Sequence, residues 1–323
     1  MTNKIGIGLY GTNGHQVHEK LVNDPLGVCV AVAAFDQAML PDELRSDPNI
    51  RHYPTLEDLL QDKGVELISL CSPHRRAQAS EAIRCLEAGK HAYAEKPCAM
   101  TEEDLDAIIA AAQRTGRQFH EMAGTAFAQP YLAIRRLVQS GVLGTIVQVL
   151  VQKSYPYHDR RPQDEDVDGG MLMQAGVHAT RFIEHVTGLK IVSIQAIETR
   201  LGNPKPGNLR MASSVMASLE NGAVASIVVN YLNMLPFGQW GNETLRIFGT
   251  QGFVEAVDGG TRTRLVLKDE DRGPLSLDEP SQDYLDFFMK SLHGQDEMPL
   301  SLEDELHPTR MVIRAKRDAV MWS

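Results

Sequence analysis

Residues 4–16 read KIGIGLYGTNGHQ, and the fold turns on how they are understood. Residues 4–10 (KIGIGLY) have the unbroken apolar character of a strand buried on both faces. GTNG then predicts a tight turn, and the residues after it predict a helix carrying His15, His18 and Leu21. Dinucleotide-binding folds place a GxGxxG turn at this point, where the backbone approaches a pyrophosphate at a helix N-terminus. The chain keeps Gly11 but carries Asn13 and Gln16 at the second and third glycine positions. Asparagine tolerates left-handed backbone better than most residues. Gln16 is expected to loosen the approach of helix to strand. Thr12, Gly14 and His15 complete the candidate pyrophosphate turn, and on these residues alone a plain tight turn stays open as a reading.

Outward from this stretch, VCVAVAAFD is a second apolar strand ending on Asp36. A carboxylate about twenty residues past the turn can accept both ribose hydroxyls of NAD, and it repels a 2′-phosphate. NAD is therefore favoured over NADP, against the plainer reading of a strand-terminal aspartate. Strands follow at VELISLC, HAYAEKP and RQFHEM, separated by the helix RRAQASEAIRCLEAG, closed at Gly89, and by a helix that Thr101 and Asp104 cap. Strands alternating with helices predict an α/β, Rossmann-like parallel-sheet domain over residues 1–122.

Past residue 122 the pattern changes. A helix near 128–139 leads to a strand at roughly 145–155, then to the polar segment YHDRRPQDEDVDGG, too charged for a core. GGMLMQAGVHATRF (169–182) begins with two glycines and a helix that sets Gln174 and His178 one turn apart on one face. RMASSVMASLENGAVASIVVNY reads as two strands joined at Asn221-Gly222, with both turn positions at positive φ. Further strands lie in TLRIFGTQGFVEAV and TRTRLVLK, and helices are expected at about 280–291 and 301–319. Residues 123–323 thus predict an α/β (α+β) domain on a mainly antiparallel open sheet, for substrate binding and oligomerisation. Its terminal helices are expected to pack back toward the first domain, and its bare sheet face to meet solvent or a partner.

The chain has 323 residues, 43% hydrophobic and 23% charged, with a formal net charge of −10. That balance argues against nucleic acid as a partner. No apolar run reaches membrane-spanning length, the N-terminus enters a strand at once, and the four cysteines form no CxxC pair. A cytoplasmic protein with buried thiols is expected. The eleven histidines give no metal constellation. Among side chains that carry chemistry, Lys96 leaves a strand at its C-terminal end, where parallel sheets bind ligands. Such a lysine can stabilise negative charge on a reacting oxygen, and Glu95 can tune it. His178 can take a hydroxyl proton while a hydride leaves the same carbon. Tyr155 and His158 are candidates to line a polar substrate pocket, with surface decoration as the alternative; His74 is placed near the nucleotide.

Taken in order, these landmarks resemble the Gfo/Idh/MocA oxidoreductases, the family of glucose–fructose oxidoreductase and inositol 2-dehydrogenase. The resemblance covers nearly the whole chain and is carried by the first strand and turn, Ser72-Pro73, Glu95-Lys96-Pro97, residues 169–178, and Gly249-Thr250 with Gly252. It implies that Ser72 and Pro73 lie beside the nicotinamide and that Lys96 is catalytic. It also implies a sugar, inositol or related polyol as substrate, reacting at a secondary alcohol or ketone. A homodimer or homotetramer through the C-terminal sheet is implied as well. The chain departs from the family at Gln174, where aspartate is usual, and at Arg181, where another acidic residue is common. Loss of a charged partner for His178 is expected to cost about 1–3 kcal/mol of imidazolium stabilisation. The eroded turn and Gln174 leave two alternatives: a nucleotide-binding sensor without turnover, or an enzyme using tightly held NAD with no net redox change.

Overall fold

The computed structural model of the protein describes residues 4–322. By internal contact the chain divides into two compact units. One runs through Ala123 and takes in Asp166–Asp168 and Tyr284–Leu306; the other comprises Gly124–Glu165, Gly169–Asp283 and the segment from His307 onward.

The first unit is a six-stranded sheet of β1 (Ile5–Tyr10), β2 (Gly27–Ala33), β3 (Arg51–Tyr53), β4 (Leu67–Leu70), β5 (His91–Ala94) and β6 (Phe119–Glu121). Its order is β3-β2-β1-β4-β5-β6, with every pairing parallel. Every residue of β1 and β4 is buried, as the unbroken apolar runs predict for strands covered on both faces. Four helices, α1 (Asp42–Arg45), α2 (Leu56–Leu60), α3 (Arg75–Glu87) and α4 (Glu102–Thr115), join these strands. Thr101 caps α4 by accepting the Asp104 N–H at 3.1 Å, and Gly116 ends it in left-handed backbone.

One expected element is missing. Between β1 and β2 no α-helix forms; residues 17–23 make only turns, closed by bonds such as Lys20 N–H to the Val17 carbonyl. The segment is short, and it runs into Val22, Asn23, Asp24 and Pro25, which resist helix propagation. Gln16 also departs from expectation. Its amide donates to the carbonyls of Tyr10, Gly11 and Ser69, each at 3.1 Å, and accepts from the Ser69 hydroxyl. It closes the turn onto β1 and β4 rather than loosening it.

Two further helices, α7 (Tyr284–Leu292) and the first turn of α8 (Leu302–Arg317), complete the unit. Glu305 is the polar anchor there. It accepts the outward backbone N–H of Glu121 on edge strand β6 at 2.7 Å, and also engages His120 Nδ1 and the Tyr284 hydroxyl. A buried carboxylate is tolerated because each oxygen is hydrogen-bonded.

The second unit holds a nine-stranded sheet. It contains β7 (Ile146–Ser154), β8 (Ile191–Thr199), β9 (Ala212–Leu219), β10 (Val224–Asn230), β11 (Asn242–Gly249), β12 (Gly252–Val257), β13 (Arg262–Leu267), β14 (Glu270–Gly273) and β15 (Val320–Trp322). The order is β14-β13-β12-β11-β7-β10-β9-β8-β15; only β7–β10 and β8–β15 are parallel. Helices α5 (Tyr131–Gln139) and α6 (Gly170–Thr187) belong to this unit, and α6 lies against β7 and β10. Strands β9 and β10 alternate buried and exposed residues, the signature of a half-covered sheet. Met216, Val224 and Val228 stand on their open face.

Two local readings need correction. In the β9–β10 hairpin only Gly222 has positive φ (87°); Asn221 does not. The turn is wider than two residues, closed by Gly222 N–H to the Leu219 carbonyl, and the Asn221 side chain accepts from Ala223 N–H. The charged segment before α6 is not wholly exposed either. Glu165 and Asp168 are buried, and Glu165 is held by Lys316 Nζ (2.7 Å) and by Arg210 (3.2 Å). Cations from distant segments neutralise it, which local composition does not reveal.

Replacing Glu305 with alanine would strand His120 and the Glu121 N–H in the interior. The expected cost is about 3 kcal/mol of unfolding free energy, read from urea denaturation; a loss below about 1 kcal/mol would show that Glu305 is not the anchor described.

Candidate functional site

In the first unit the C-terminal ends of β1, β4 and β5 bring together the turn after β1, the Ser72–His74 segment and Glu95-Lys96. Gly11 opens the turn with φ +69°, and a Cβ there would lie 2.1 Å from the Cys71 carbonyl oxygen. Left-handed backbone is thus supplied by glycine, not by Asn13 as expected. Asn13 has another task. Its amide donates to the carbonyls of Pro73 (3.1 Å) and Val167 (2.8 Å), tying the turn to two other segments of the unit. Gly14 also has positive φ (+141°), and a Cβ there would sit 2.5 Å from Glu95 Cγ.

Glu95 is fully buried, and its carboxylate accepts the His15 backbone N–H at 2.8 Å. His15 Nδ1 lies 3.1 Å from the other oxygen, and Lys96 Nζ 3.4 Å from it. Burial by itself raises the pKa of this carboxyl. The Lys96 ammonium, the His15 hydrogen bond and charge, and the Arg75 guanidinium outweigh burial and bring it down from 4.5 to about 2. Lys96 is only 2% exposed, its ammonium held beside that carboxylate.

Three side chains that the sequence did not single out as site residues hold this arrangement together. Gln78, in the first turn of α3, donates to the carbonyls of Glu95 and Pro97 and so brackets the backbone of Lys96. It accepts from Ser72 N–H and from Arg75 Nη1. Arg75 in turn donates to the Asn13 carbonyl at 2.6 Å. Both are fully buried, and Gln16 joins them from the turn. Their one sequence signal is polar character in an otherwise ordinary stretch, which does not identify partners.

Asp36 caps a short turn, accepting Ala38 N–H at 3.0 Å, and is exposed. Arg45, the nearby cation, is committed to the carbonyls of Gln37, Ala38 and Leu40. Ser72 Oγ is buried without a hydrogen-bond partner, and exposed His74 occupies the N-cap of α3 without capping it by its side chain. An exposed carboxylate at the end of β2, Gly11 where a Cβ would collide, and a spare buried hydroxyl after β4 suit a dinucleotide. The segment after β1, lacking a helix, does not supply the helix N-terminus that such a group usually meets. Among the described residues no group of three or more histidines, cysteines or carboxylates could hold a metal, and no helix is long and apolar enough to cross a membrane.

The second unit places the other candidates. Every residue of α6 is buried except Gln174 and His178. The helical period that puts them one turn apart also makes them the helix's two openings. His178 Nδ1 lies 2.8 Å from the Thr125 hydroxyl, a bond that can fix the ring. Arg181, one turn further, is fully buried. Tyr155 stacks beneath Lys153 Nζ, 5.2 Å from the ring centre, and Lys153 pairs with Glu243. His158 is half-buried, its ring 5.8 Å from that of Trp240. Burial first, then Arg161 and Arg160, lower its pKa, so neutral imidazole is favoured.

Residues 5–122 match the family described as "Oxidoreductase family, NAD-binding Rossmann fold", and residues 131–255 match "GFO/IDH/MocA C-terminal domain". Among similar proteins is a trans-1,2-dihydrobenzene-1,2-diol dehydrogenase of Bos taurus, 26% identical over 75% of this chain and 70% of its own. A myo-inositol 2-dehydrogenase of Thermotoga maritima is 21% identical over 89% of this chain and 84% of its own. The chain spans 61% of the length of another relative, an oxidoreductase of Bacillus subtilis that is 25% identical over 66% of this chain. A solved 3-ketoreductase from Actinomadura kijaniata, in complex with NADP, has the same fold: TM-score 0.78, 17% identity, 99% of this chain and 100% of the other covered.

Because folding lowers the pKa of Glu95, its carboxylate contributes stability above about pH 4.5, and that contribution fades as pH falls toward about 2. The stability advantage of the native chain over Glu95→Gln should shrink by about 2 kcal/mol between pH 5 and pH 3, measured by urea denaturation. A difference independent of pH would refute the buried, ionised Glu95.

Proposed function

The chain belongs to the Gfo/Idh/MocA oxidoreductases, and we propose that it moves a hydride between NAD and a secondary alcohol or ketone of a polyhydroxylated substrate, of the sugar or inositol class. The observation that carries this reading is the pair of polar openings, Gln174 and His178, in a helix buried everywhere else, together with a lysine held at the end of β5. NAD, when bound, supplies the hydride acceptor. Asp36 would hold the adenine ribose, and its charge, with Arg45 committed elsewhere, favours NAD over NADP. Gly11, Thr12, Asn13, Gly14 and His15 would lie against the pyrophosphate with Glu95 beside them, and Ser72, Pro73 and His74 would line the remainder.

In this reading Lys96 stabilises developing negative charge on the reacting oxygen. His178 takes the hydroxyl proton, its ring held through Nδ1 by Thr125. Gln174 orients a substrate hydroxyl through its amide, and Tyr155 and His158 contribute polar walls. Relatives named for a dihydrodiol and an inositol as substrates support this choice of class. The open face of the nine-stranded sheet is proposed to pair with a second copy, giving a homodimer or homotetramer: Val192, Ile197, Met216, Val224 and Val228 are exposed on its strands.

Lys96→Met and His178→Ala should each lower kcat/KM on an identified polyol by 10²–10⁴-fold, roughly the range of a positioned acid–base group. Turnover unchanged in both would end this mechanism. Gln174→Asp places a carboxylate one turn from the imidazole. The basic group in the pH–rate profile should then move upward by about one pH unit, with turnover near neutral pH rising or holding. An unmoved profile would show that position 174 does not communicate with His178.

A further inference from the structure

A diphosphate docks on a glycine turn by collecting backbone N–H groups at the positive end of a helix. Here four of the turn's donors are already engaged. Gly11 N–H goes to the Ala33 carbonyl (3.1 Å), Asn13 N–H to Cys71 (3.3 Å) and Gly14 N–H to Thr12 (3.0 Å). His15 N–H goes to a carboxylate oxygen of Glu95. No helix follows to add its field. An anion therefore rests in the turn, and it belongs to the protein. Its fit is tight, since Gly14 has no room for a Cβ against it.

We propose that the Glu95 carboxylate is an internal occupant of the diphosphate subsite, so that a nucleotide diphosphate binds in competition with this side chain. The proposal rests on reading the first unit as dinucleotide-binding and adds what controls its affinity. Two anions cannot share the His15 N–H, and at short range in a low-dielectric crevice they repel strongly. The displaced carboxylate has somewhere to go: Lys96 Nζ is 3.4 Å from its other oxygen in the resting arrangement. Nucleotide entry would exchange the Glu95–His15 bond for a closer Glu95–Lys96 pair. Binding at the turn thereby acts on the lysine assigned to the reacting oxygen. Discrimination falls on the phosphates alone, so a nucleoside lacking them should be indifferent to Glu95.

Calorimetric titration of the full chain with NAD, ADP-ribose and adenosine, in the native protein and in Glu95→Gln, tests this. The variant keeps the shape and one acceptor oxygen and loses the charge. It should bind NAD and ADP-ribose about tenfold more tightly or better, with adenosine unchanged, as expected from removing a competing charge-assisted bond. His15→Ala, altering an exposed side chain that also holds the carboxylate, should tighten both diphosphates a few-fold and guards against a Glu95 variant that fails to fold. Equal or weaker NAD binding by a folded Glu95→Gln overturns the proposal and leaves the dinucleotide reading intact. A matching gain for adenosine also overturns it. Failure of both proteins to bind NAD or ADP-ribose defeats the dinucleotide reading and the proposal with it.

Discussion

A fully buried carboxylate at the end of a parallel strand has to be neutralised and hydrogen-bonded, and in the first unit most of the site is arranged around that requirement for Glu95. Lys96 and the Arg75 guanidinium provide the charge, and His15 N–H provides a bond. Gly14 leaves room for the carboxylate. Gln78 holds the flanking carbonyls of Glu95 and Pro97, and Arg75 links Gln78 to the turn through Asn13. Removing any one of these leaves another polar group without its partner. The position of Lys96 therefore depends on residues in α3 and in the first turn as much as on its own strand.

The second unit solves a related problem with different means. Helix α6 is buried along its whole length apart from two positions, so its rotation is set by apolar packing and Gln174 and His178 emerge by register alone. Its N-terminal end is steadied by Glu165, which Arg210 and Lys316 neutralise from β-rich and C-terminal segments. Lys316 also bonds Glu198 on β8, whose pKa burial raises despite that cation. Gln174 stands one turn before His178 on that same face.

Much of this was legible in the sequence because it depends on periodicity. Alternation along β9 and β10, unbroken apolar runs in β1 and β4, and the four-residue spacing of Gln174 and His178 each map directly onto geometry. The EKP triplet and the double glycine marked the family. What escaped depends on long-range partners. The absent helix after β1 reflects weak formers around Val22–Pro25 competing with Gln16, whose amide prefers the carbonyls of β1 and β4. Burial of Glu165 follows from cations 45 and 151 residues away in sequence. Gln78 and Arg75 look like surface helix residues until the carbonyls they serve are brought beside them.

We propose NAD as the nucleotide of the first unit and Asp36 as the residue that selects it. Measuring the dissociation constants of NAD and NADP for the native chain and for Asp36→Arg is the direct test. NAD should bind more tightly to the native chain, and the substitution should reverse the order by removing a ribose acceptor and adding a 2′-phosphate partner. Tighter NADP binding by the native chain, or an order that Asp36→Arg leaves unchanged, would contradict the account.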